Sequence, residues 1–173
     1  HKIRGMYMTQ DEQKRVKEAI NIAKRSPIYL ENEPDYTCSF IEYKIDEYKV
    51  NHDIGALVFD YIELIPPLTA EYVQLTRGVA AREDMVLLHL STQLKNLANE
   101  YDIYVHAYTQ IANDARRDES IRDSGAIKGS KSLQARADLG IVTMRPTHKE
   151  LEKLKPFMEK YGYEQPNLCF NIY

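Results

Sequence analysis

Residues 55–60 are Gly55-Ala56-Leu57-Val58-Phe59-Asp60, an unbroken apolar run between a glycine and an acid. A continuous apolar run, in which polar residues do not alternate with apolar ones, is typical of a parallel strand that is buried on both faces. We therefore expect a buried parallel strand over residues 56–59, with Asp60 at its carboxyl end.

Helices and strands alternate around this run. Upstream, a capping box that begins at Thr9 predicts a helix ending near Ser26, and the apolar residues 28–30 predict a short buried strand. A second helix is expected to begin at Thr37. Downstream, apolar residues at steps of three and four predict a long helix that packs on the sheet. Its stripe consists of Leu87, Leu90, Leu94, Leu97 and Tyr101.

Three further apolar runs, 103–109, 139–144 and 168–173, predict additional strands. A second capping box at Thr147 predicts another helix, in which Pro156 should cause a kink or a fresh start because proline cannot donate a backbone hydrogen bond. Strands that alternate with helices predict an α/β layered domain with a mainly parallel sheet. We assign residues 1–173 to one domain, since this length suits a single core.

The composition, with 43% hydrophobic and 28% charged residues, is that of a globular domain and excludes disorder throughout. The formal net charge of −3 excludes a global basic field, so any DNA contact must be local or shared among subunits. Cys38 and Cys169 match no metal-ligand spacing and are expected to be buried thiols. We expect a cytoplasmic protein without a membrane partner, because no apolar run approaches bilayer length and no signal pattern is present.

Two strand ends carry candidate chemistry. Asp60 has the position of a Walker B acid, which holds Mg²⁺ through its water shell and so positions nucleotide phosphates. Gln110 follows the run 103–109, where a polar side chain could contact the γ-phosphate of ATP. Asp60 by itself is equally explained as an ordinary acid that closes a strand, and Gln110 by itself is better explained as a solvated strand end. Glu63 is better explained as a strand-end carboxylate than as a group that polarises water.

The polar residues 113–125 have no periodicity and predict a loop at the carboxyl edge of the sheet. Arginines together with Gly125 favour contact with a phosphate backbone, although the mixed charges also fit an ordinary solvated loop. Residues 125–132 are not a Walker A phosphate loop, because Ser130 rather than glycine precedes Lys131 and no apolar strand leads in. The scattered tyrosines predict core or rim positions rather than a stacking platform.

Several segments resemble, in the same order, the DnaB family of replicative DNA helicases. Residues 58–64, Val-Phe-Asp-Tyr-Ile-Glu-Leu, resemble the family's Asp-Tyr-Leu-Gln-Leu motif, and residues 91–100 resemble the helix that follows it. Thr109-Gln110 stands where the family has Ser-Gln. Residues 121–127, Ile-Arg-Asp-Ser-Gly-Ala-Ile, resemble its Leu-Arg-Glu-Ser-Gly-Ser-Ile.

The resemblance implies a RecA-like P-loop NTPase domain of three layers, from an ATP-dependent helicase that moves on single-stranded DNA as a ring hexamer. It implies that Asp60 and Gln110 serve catalysis, Asp60 through Mg²⁺ bound with ATP, and that Arg122, Asp123 and Gly125 contact the DNA backbone in the central channel. Primase or a helicase loader would be a further partner.

Three departures from the family pattern lead to further expectations. The segment of residues 128–136 is longer than the corresponding segment in the usual form of the family, which indicates a phage-like or otherwise divergent branch. The segment with Walker A and the catalytic glutamate, and the trans-acting Lys and Arg fingers, are expected to lie outside this chain. One alternative is a non-catalytic, degenerate RecA-like module that binds DNA or a helicase subunit. Another is a different ATPase on the same fold, such as a recombinase or a circadian-clock-type ATPase.

Overall fold

The computed structural model describes residues 7–110, 133 and 136–172. The chain divides into two compact units, residues 1–34 and 35–173. In the first unit, helix α1 (Gln10–Arg25) begins and ends where the sequence predicts. The Thr9 hydroxyl accepts a hydrogen bond from the Glu12 N–H at 3.3 Å, and the Glu12 carboxylate accepts one from the Thr9 N–H at 2.9 Å. These two bonds form the capping box that starts the helix.

The strand predicted over residues 28–30 is wrong. These residues are exposed and belong to no strand. The N–H of Ile28 donates to the carbonyl of Ser26 at 2.8 Å, so a local turn uses the donor that a neighbouring strand would need. A short apolar run therefore did not suffice to place a strand here.

The core of the second unit lies among three helices: α2 (Cys38–His52), α3 (Pro66–Leu75) and α4 (Glu83–Glu100). Helix α2 begins after Thr37 as predicted, and α3 occupies a segment whose form the sequence left open. The predicted apolar stripe of α4 is confirmed at Leu87, Leu90, Leu94 and Leu97, which are buried, whereas Tyr101 follows the helix and is half-buried. The buried residues of α4 are Val86, Leu87, Leu90, Ser91, Leu94 and Leu97.

Strands β1 (Ala56–Phe59) and β2 (Tyr104–Ala107) pair in parallel, as predicted, with Ala56 opposite Tyr104. The expectation that β1 is buried on both faces is wrong. Leu57 and Phe59 pack against the core, whereas Val58, which points to the other face, is 62% exposed. Successive strand side chains alternate between faces, and in the described part of the chain the core covers only one of them.

Strands β3 (Ile141–Met144) and β4 (Cys169–Ile172) form a separate antiparallel pair, with Ile141 opposite Ile172. The described strands thus form two two-stranded sheets, one parallel and one antiparallel. The prediction of a mainly parallel sheet holds for the first pair and is wrong for the second. Of the residues in β3 and β4, Val142 alone is buried, so the pair contributes little to the core of the unit.

Helix α5 (His148–Tyr161) begins with the predicted capping box at Thr147. Of the kink or fresh start expected at Pro156, the fresh start does not occur, because α5 is one continuous helix. Proline lacks the N–H that would bond to the carbonyl of Glu152, and both residues are exposed, so water can hydrate that carbonyl. None of the described helices combines the length and apolarity needed to cross a membrane.

A carboxylate from α3 caps the start of α2. Glu71 accepts hydrogen bonds from the N–H groups of Cys38, at 2.7 Å, and Ser39, at 2.9 Å. Burial opposes ionisation of Glu71, but the hydrogen bonds from these two residues lower its pKa below the ordinary value. Burial, together with the adjacent Glu71, raises the pKa of the Cys38 thiol to about 12. Cys38 is therefore a buried thiol as predicted, whereas Cys169 is only half-buried.

The Glu71 contact predicts a pH-dependent stability. Because the folded state lowers the pKa of Glu71, its stabilisation is complete above the unfolded value of about 4.5 and is lost as the pH falls through the folded value. We expect Glu71→Gln to lower the free energy of unfolding by about 1 kcal/mol at neutral pH. In urea unfolding, this difference should shrink at acid pH, and Glu42→Gln, an exposed site on α2, should have little effect at either pH. An equal loss for Glu71→Gln at both pH values would contradict this role.

Candidate functional site

The carboxyl ends of β1 and β2 lie side by side. Phe59, the last residue of β1, is paired with Ala107, the last residue of β2. The N–H of Tyr108 donates to the carbonyl of Phe59 at 3.0 Å, and the N–H of Ile62 donates to the carbonyl of Tyr108 at 2.7 Å. The segment that contains Asp60 therefore runs beside the segment that leads to Gln110, as the parallel pairing predicts.

Asp60 is exposed directly after β1, where the sequence predicts it. An exposed carboxylate at a strand end suits Mg²⁺, which prefers oxygen ligands and keeps several of its waters. In the described residues, no group of three or more His, Cys, Asp or Glu side chains is arranged to hold a metal ion directly. A single exposed carboxylate such as Asp60 can contact a hydrated cation through its water shell.

Gln110 lies near the segment after β1, close to Tyr61. The Tyr61 hydroxyl donates to Oε2 of Glu63 at 3.0 Å, and the Gln110 side chain is near enough to this hydroxyl to lower its pKa slightly. The bond to Glu63 is the main cause that raises the pKa of Tyr61, so the phenol stays protonated and remains a donor. Glu63 therefore holds the Tyr61 hydroxyl beside the Gln110 side chain.

The backbone of Glu63 is held by a buried tyrosine. The Tyr36 hydroxyl accepts from the N–H of Glu63 at 3.2 Å and donates to its carbonyl at 3.0 Å. Burial raises the pKa of Tyr36, and its ring meets the Phe59 ring edge-on with centroids 5.0 Å apart. This double contact fixes the chain after Asp60 against the start of α2. The rigid backbone in turn positions the carboxylate that holds Tyr61.

A small open cavity of about 20 Å³, room for about one water molecule, lies beside Tyr61 and Gln110. Its polar lining comes from Tyr61, Glu63, Glu83, Thr109 and Gln110, while Asp60 does not line it. The carboxylates of Glu63 and Glu83 make the rim of this cavity acidic, which disfavours an anion without a counter-cation there.

The structure brings together some of the predicted site residues. Asp60 and Gln110 lie at one sheet edge, while Arg122, Asp123 and Gly125 lie outside the described residues. Sequence reasoning missed Tyr61 and Tyr36. The hydroxyl contact of Tyr36 reaches across 27 residues, and no spacing pattern signals such a contact.

Comparison with known proteins relates the chain to one protein family. The model of the family described as "DnaB-like helicase C terminal domain" matches residues 1–164. A prophage protein of Bacillus subtilis (strain 168), "SPbeta prophage-derived uncharacterized protein YorI", is 27% identical over 169 residues, which cover 96% of this chain and 33% of that protein. The "Replicative DNA helicase DnaB" of Rickettsia prowazekii (strain Madrid E) is 25% identical over 135 residues, covering 73% of this chain and 26% of the helicase.

The DnaB of Rickettsia typhi (strain ATCC VR-144 / Wilmington) is similar at 24% identity, and 25% of its length is covered. The chain thus spans between 25% and 33% of the length of these relatives. The family match covers nearly the whole chain and confirms the resemblance that the ordered segments indicate. This chain belongs to the family of DnaB-like helicase C-terminal domains.

Proposed function

We propose that this chain is the nucleotide-responding part of an ATP-dependent replicative DNA helicase. The observation that carries the proposal is that Asp60 and Gln110 lie at the same edge of the parallel pair β1 and β2, in a chain of the DnaB-like family. In the intact native protein, β1 and β2 would belong to a RecA-like three-layer domain with a larger, mainly parallel sheet. The whole assembly would be a cytoplasmic ring hexamer that unwinds duplex DNA by moving on one strand.

Each residue has a distinct role in this proposal. Asp60 holds the water shell of Mg²⁺, which when bound neutralises charge on the phosphates of ATP. Gln110 contacts the γ-phosphate, and Tyr61 holds the Gln110 side chain in place. Residues 111–125 follow Gln110 directly, so a shift of Gln110 passes along the chain to Arg122, Asp123 and Gly125 at the DNA backbone. A primase or helicase loader would be a further partner of the hexamer.

The role of Tyr61 gives a test that separates positioning from folding. In the intact native protein, Tyr61→Phe removes the hydroxyl that is held by Glu63 beside Gln110 and keeps the ring. We expect the DNA-stimulated kcat for ATP hydrolysis to fall about tenfold with little change in KM, because a displaced Gln110 acts on the reacting phosphate and not on initial binding.

The matched control is Tyr104→Phe, which removes a hydroxyl from an exposed tyrosine in β2. Its kcat should stay within about twofold of the unmodified protein, since substitutions at exposed sites rarely matter. Equal kinetics for Tyr61→Phe and Tyr104→Phe would remove Tyr61 from the proposed mechanism.

The alternative is a degenerate RecA-like module that binds DNA or a helicase subunit without hydrolysing ATP. The carboxylates of Glu63 and Glu83 beside Gln110 favour this alternative, because they provide no cationic group for a phosphate. Such a module would retain DNA binding, whereas added ATP would change neither its DNA affinity nor the DNA itself. ATP hydrolysis with and without single-stranded DNA distinguishes the two functions.

A further inference from the structure

Helix α5 separates its side chains into faces of different chemistry. At about 100° per residue, Lys149, Lys153, Phe157, Lys160 and Tyr161 fall within an arc of about 120°. The acidic residues Glu152 and Glu159 fall on the opposite side of the helix. One face of α5 is therefore basic and aromatic.

Each carboxylate of α5 has a partner other than the lysines of this face, including Glu150, which itself falls within the arc. Glu152 lies 3.3 Å from Nδ1 of His148, and Glu159 lies 3.9 Å from Nζ of Lys155. Glu150 is held in the capping box, where it accepts from the N–H of Thr147 at 2.6 Å. Within the part of the chain that the structure describes, the three lysines of the basic face are not within ion-pair distance of a carboxylate. Their charge is available to a ligand.

The end of α5 adds a third ring to the aromatic side. Gly162 has a positive φ of 68°, and the following N–H, of Tyr163, donates to the carbonyl of Met158 at 3.1 Å. This turn brings the Tyr163 ring back to Phe157 and Tyr161, with ring centroids 6.0 and 6.1 Å apart and interplanar angles of 27° and 28°. Hydrophobic contacts of this type commonly close a helix that ends in glycine.

Contacts that close the end of the helix do not explain why the three aromatic rings are exposed to solvent. Phe157 is 54% exposed, Tyr161 is 52% exposed and Tyr163 is 62% exposed. Nζ of Lys160 lies 5.1 Å from the centroid of the Tyr161 ring. Accessible ring faces thus stand beside unpaired cations. The scattered tyrosines of the sequence do not predict such a platform.

Base stacking on aromatic rings, combined with lysines that contact phosphates, is the chemistry that recognises single-stranded nucleic acid. An apolar protein partner would leave the lysines uncompensated, and duplex DNA would offer phosphates while keeping its bases stacked inside. We propose that the α5 face, formed by Lys149, Lys153, Phe157, Lys160, Tyr161 and Tyr163, binds single-stranded DNA. The proposed face does not include Arg122, Asp123 or Gly125, and binding to it requires neither ATP nor Asp60.

A single tryptophan can report on this face, because the chain contains none. In the 173-residue chain, Tyr161→Trp places the fluorophore among the three rings. Titration with oligo(dT) of about 20 nucleotides, longer than a stacking site of about 4–16, should quench its emission to saturation. In the same assay, a blunt duplex of the same length should bind with at least about tenfold lower affinity, since its bases are not free to stack on the rings.

The lysines are tested in the same Tyr161→Trp background. Changing both Lys153→Gln and Lys160→Gln should weaken oligo(dT) binding about tenfold at low salt and reduce the slope of log K against log salt by about 1.4, which is about 0.7 for each lost phosphate contact. The control Lys155→Gln removes the same kind of charge from the opposite side, where Lys155 is paired with Glu159. The affinity of this Lys155→Gln variant for oligo(dT) should stay within about twofold of the affinity of the Tyr161→Trp protein.

Three results would overturn the proposal. One is equal binding of duplex and oligo(dT), which would indicate charge attraction without stacking. Another is quenching by polyglutamate that matches oligo(dT), which would indicate an acidic partner. The last is an equal effect of Lys155→Gln and the double variant. Circular dichroism of each variant checks that α5 remains helical, and because all substituted lysines are exposed, folding should be retained.

Discussion

Asp60→Ala in the intact native protein is expected to reduce DNA-stimulated ATP hydrolysis at least about a hundredfold, a loss typical when a group that stabilises transition-state charge is removed. The exposed Asp60 carboxylate follows β1 and is suited to the water shell of Mg²⁺. Alanine cannot hold that shell. The cation would no longer be aligned with the phosphates when their charge shifts during hydrolysis.

The fold should tolerate this substitution, so the loss of activity can be assigned to chemistry. Asp60 is exposed, and exposed substitutions usually change the free energy of unfolding by less than about 0.5 kcal/mol. Glu42→Ala removes an exposed carboxylate from α2 and serves as the matched control, with ATP hydrolysis close to normal. Normal turnover by Asp60→Ala in a steady-state phosphate-release assay would exclude Asp60 as the Mg²⁺ residue.

Leu90→Ala is expected to lower the free energy of unfolding by about 2–5 kcal/mol. Leu90 is fully buried in the middle of the α4 stripe, between the helices and the β1–β2 pair. Truncation removes apolar contacts and leaves a cavity, because neighbouring side chains relax only in part. A loss of this size is a large fraction of the stability of a typical domain.

The control for Leu90 is the same substitution at an exposed leucine. Leu75, near the end of α3, is 62% exposed, and Leu75→Ala should cost less than about 1 kcal/mol. Urea denaturation followed by circular dichroism gives both values. Similar losses for the two variants would mean that the α4 stripe is not the main core of the second unit.

Local signals in the sequence predict the helices well. The capping boxes at Thr9 and Thr147 each involve residues three positions apart, so the sequence contains both partners of each box. The stripe of α4 likewise follows from helical spacing alone. Helix ends and helix faces are therefore predictable from short-range patterns.

Strand pairing depends on distant residues and is harder to predict. Residues 28–30 resemble a strand in composition, yet a local turn takes the N–H of Ile28. Apolar character in β1 does not reveal that Val58 is exposed, because burial depends on which elements cover each face. The antiparallel direction of β4 beside β3 is not encoded in either apolar run.

In the candidate site, too, the features that depend on local sequence are predictable, whereas contacts between distant elements are not. Asp60 and Gln110 follow from two strand ends and from the family resemblance, which together predict that they meet at one sheet edge. The placement of Tyr61 beside Gln110 and the anchoring of Glu63 by Tyr36 depend on side-chain contacts between separate elements. Such contacts have no signature in a single sequence.

The most direct test of the central claim is strand displacement by the intact native protein on a forked DNA duplex with a labelled strand. The proposed helicase function predicts release of that strand when ATP is present, no release without ATP, and no release by the Asp60→Ala protein. Binding of the fork without strand release, in protein that also fails to hydrolyse ATP, would contradict the helicase function and indicate a DNA-binding module.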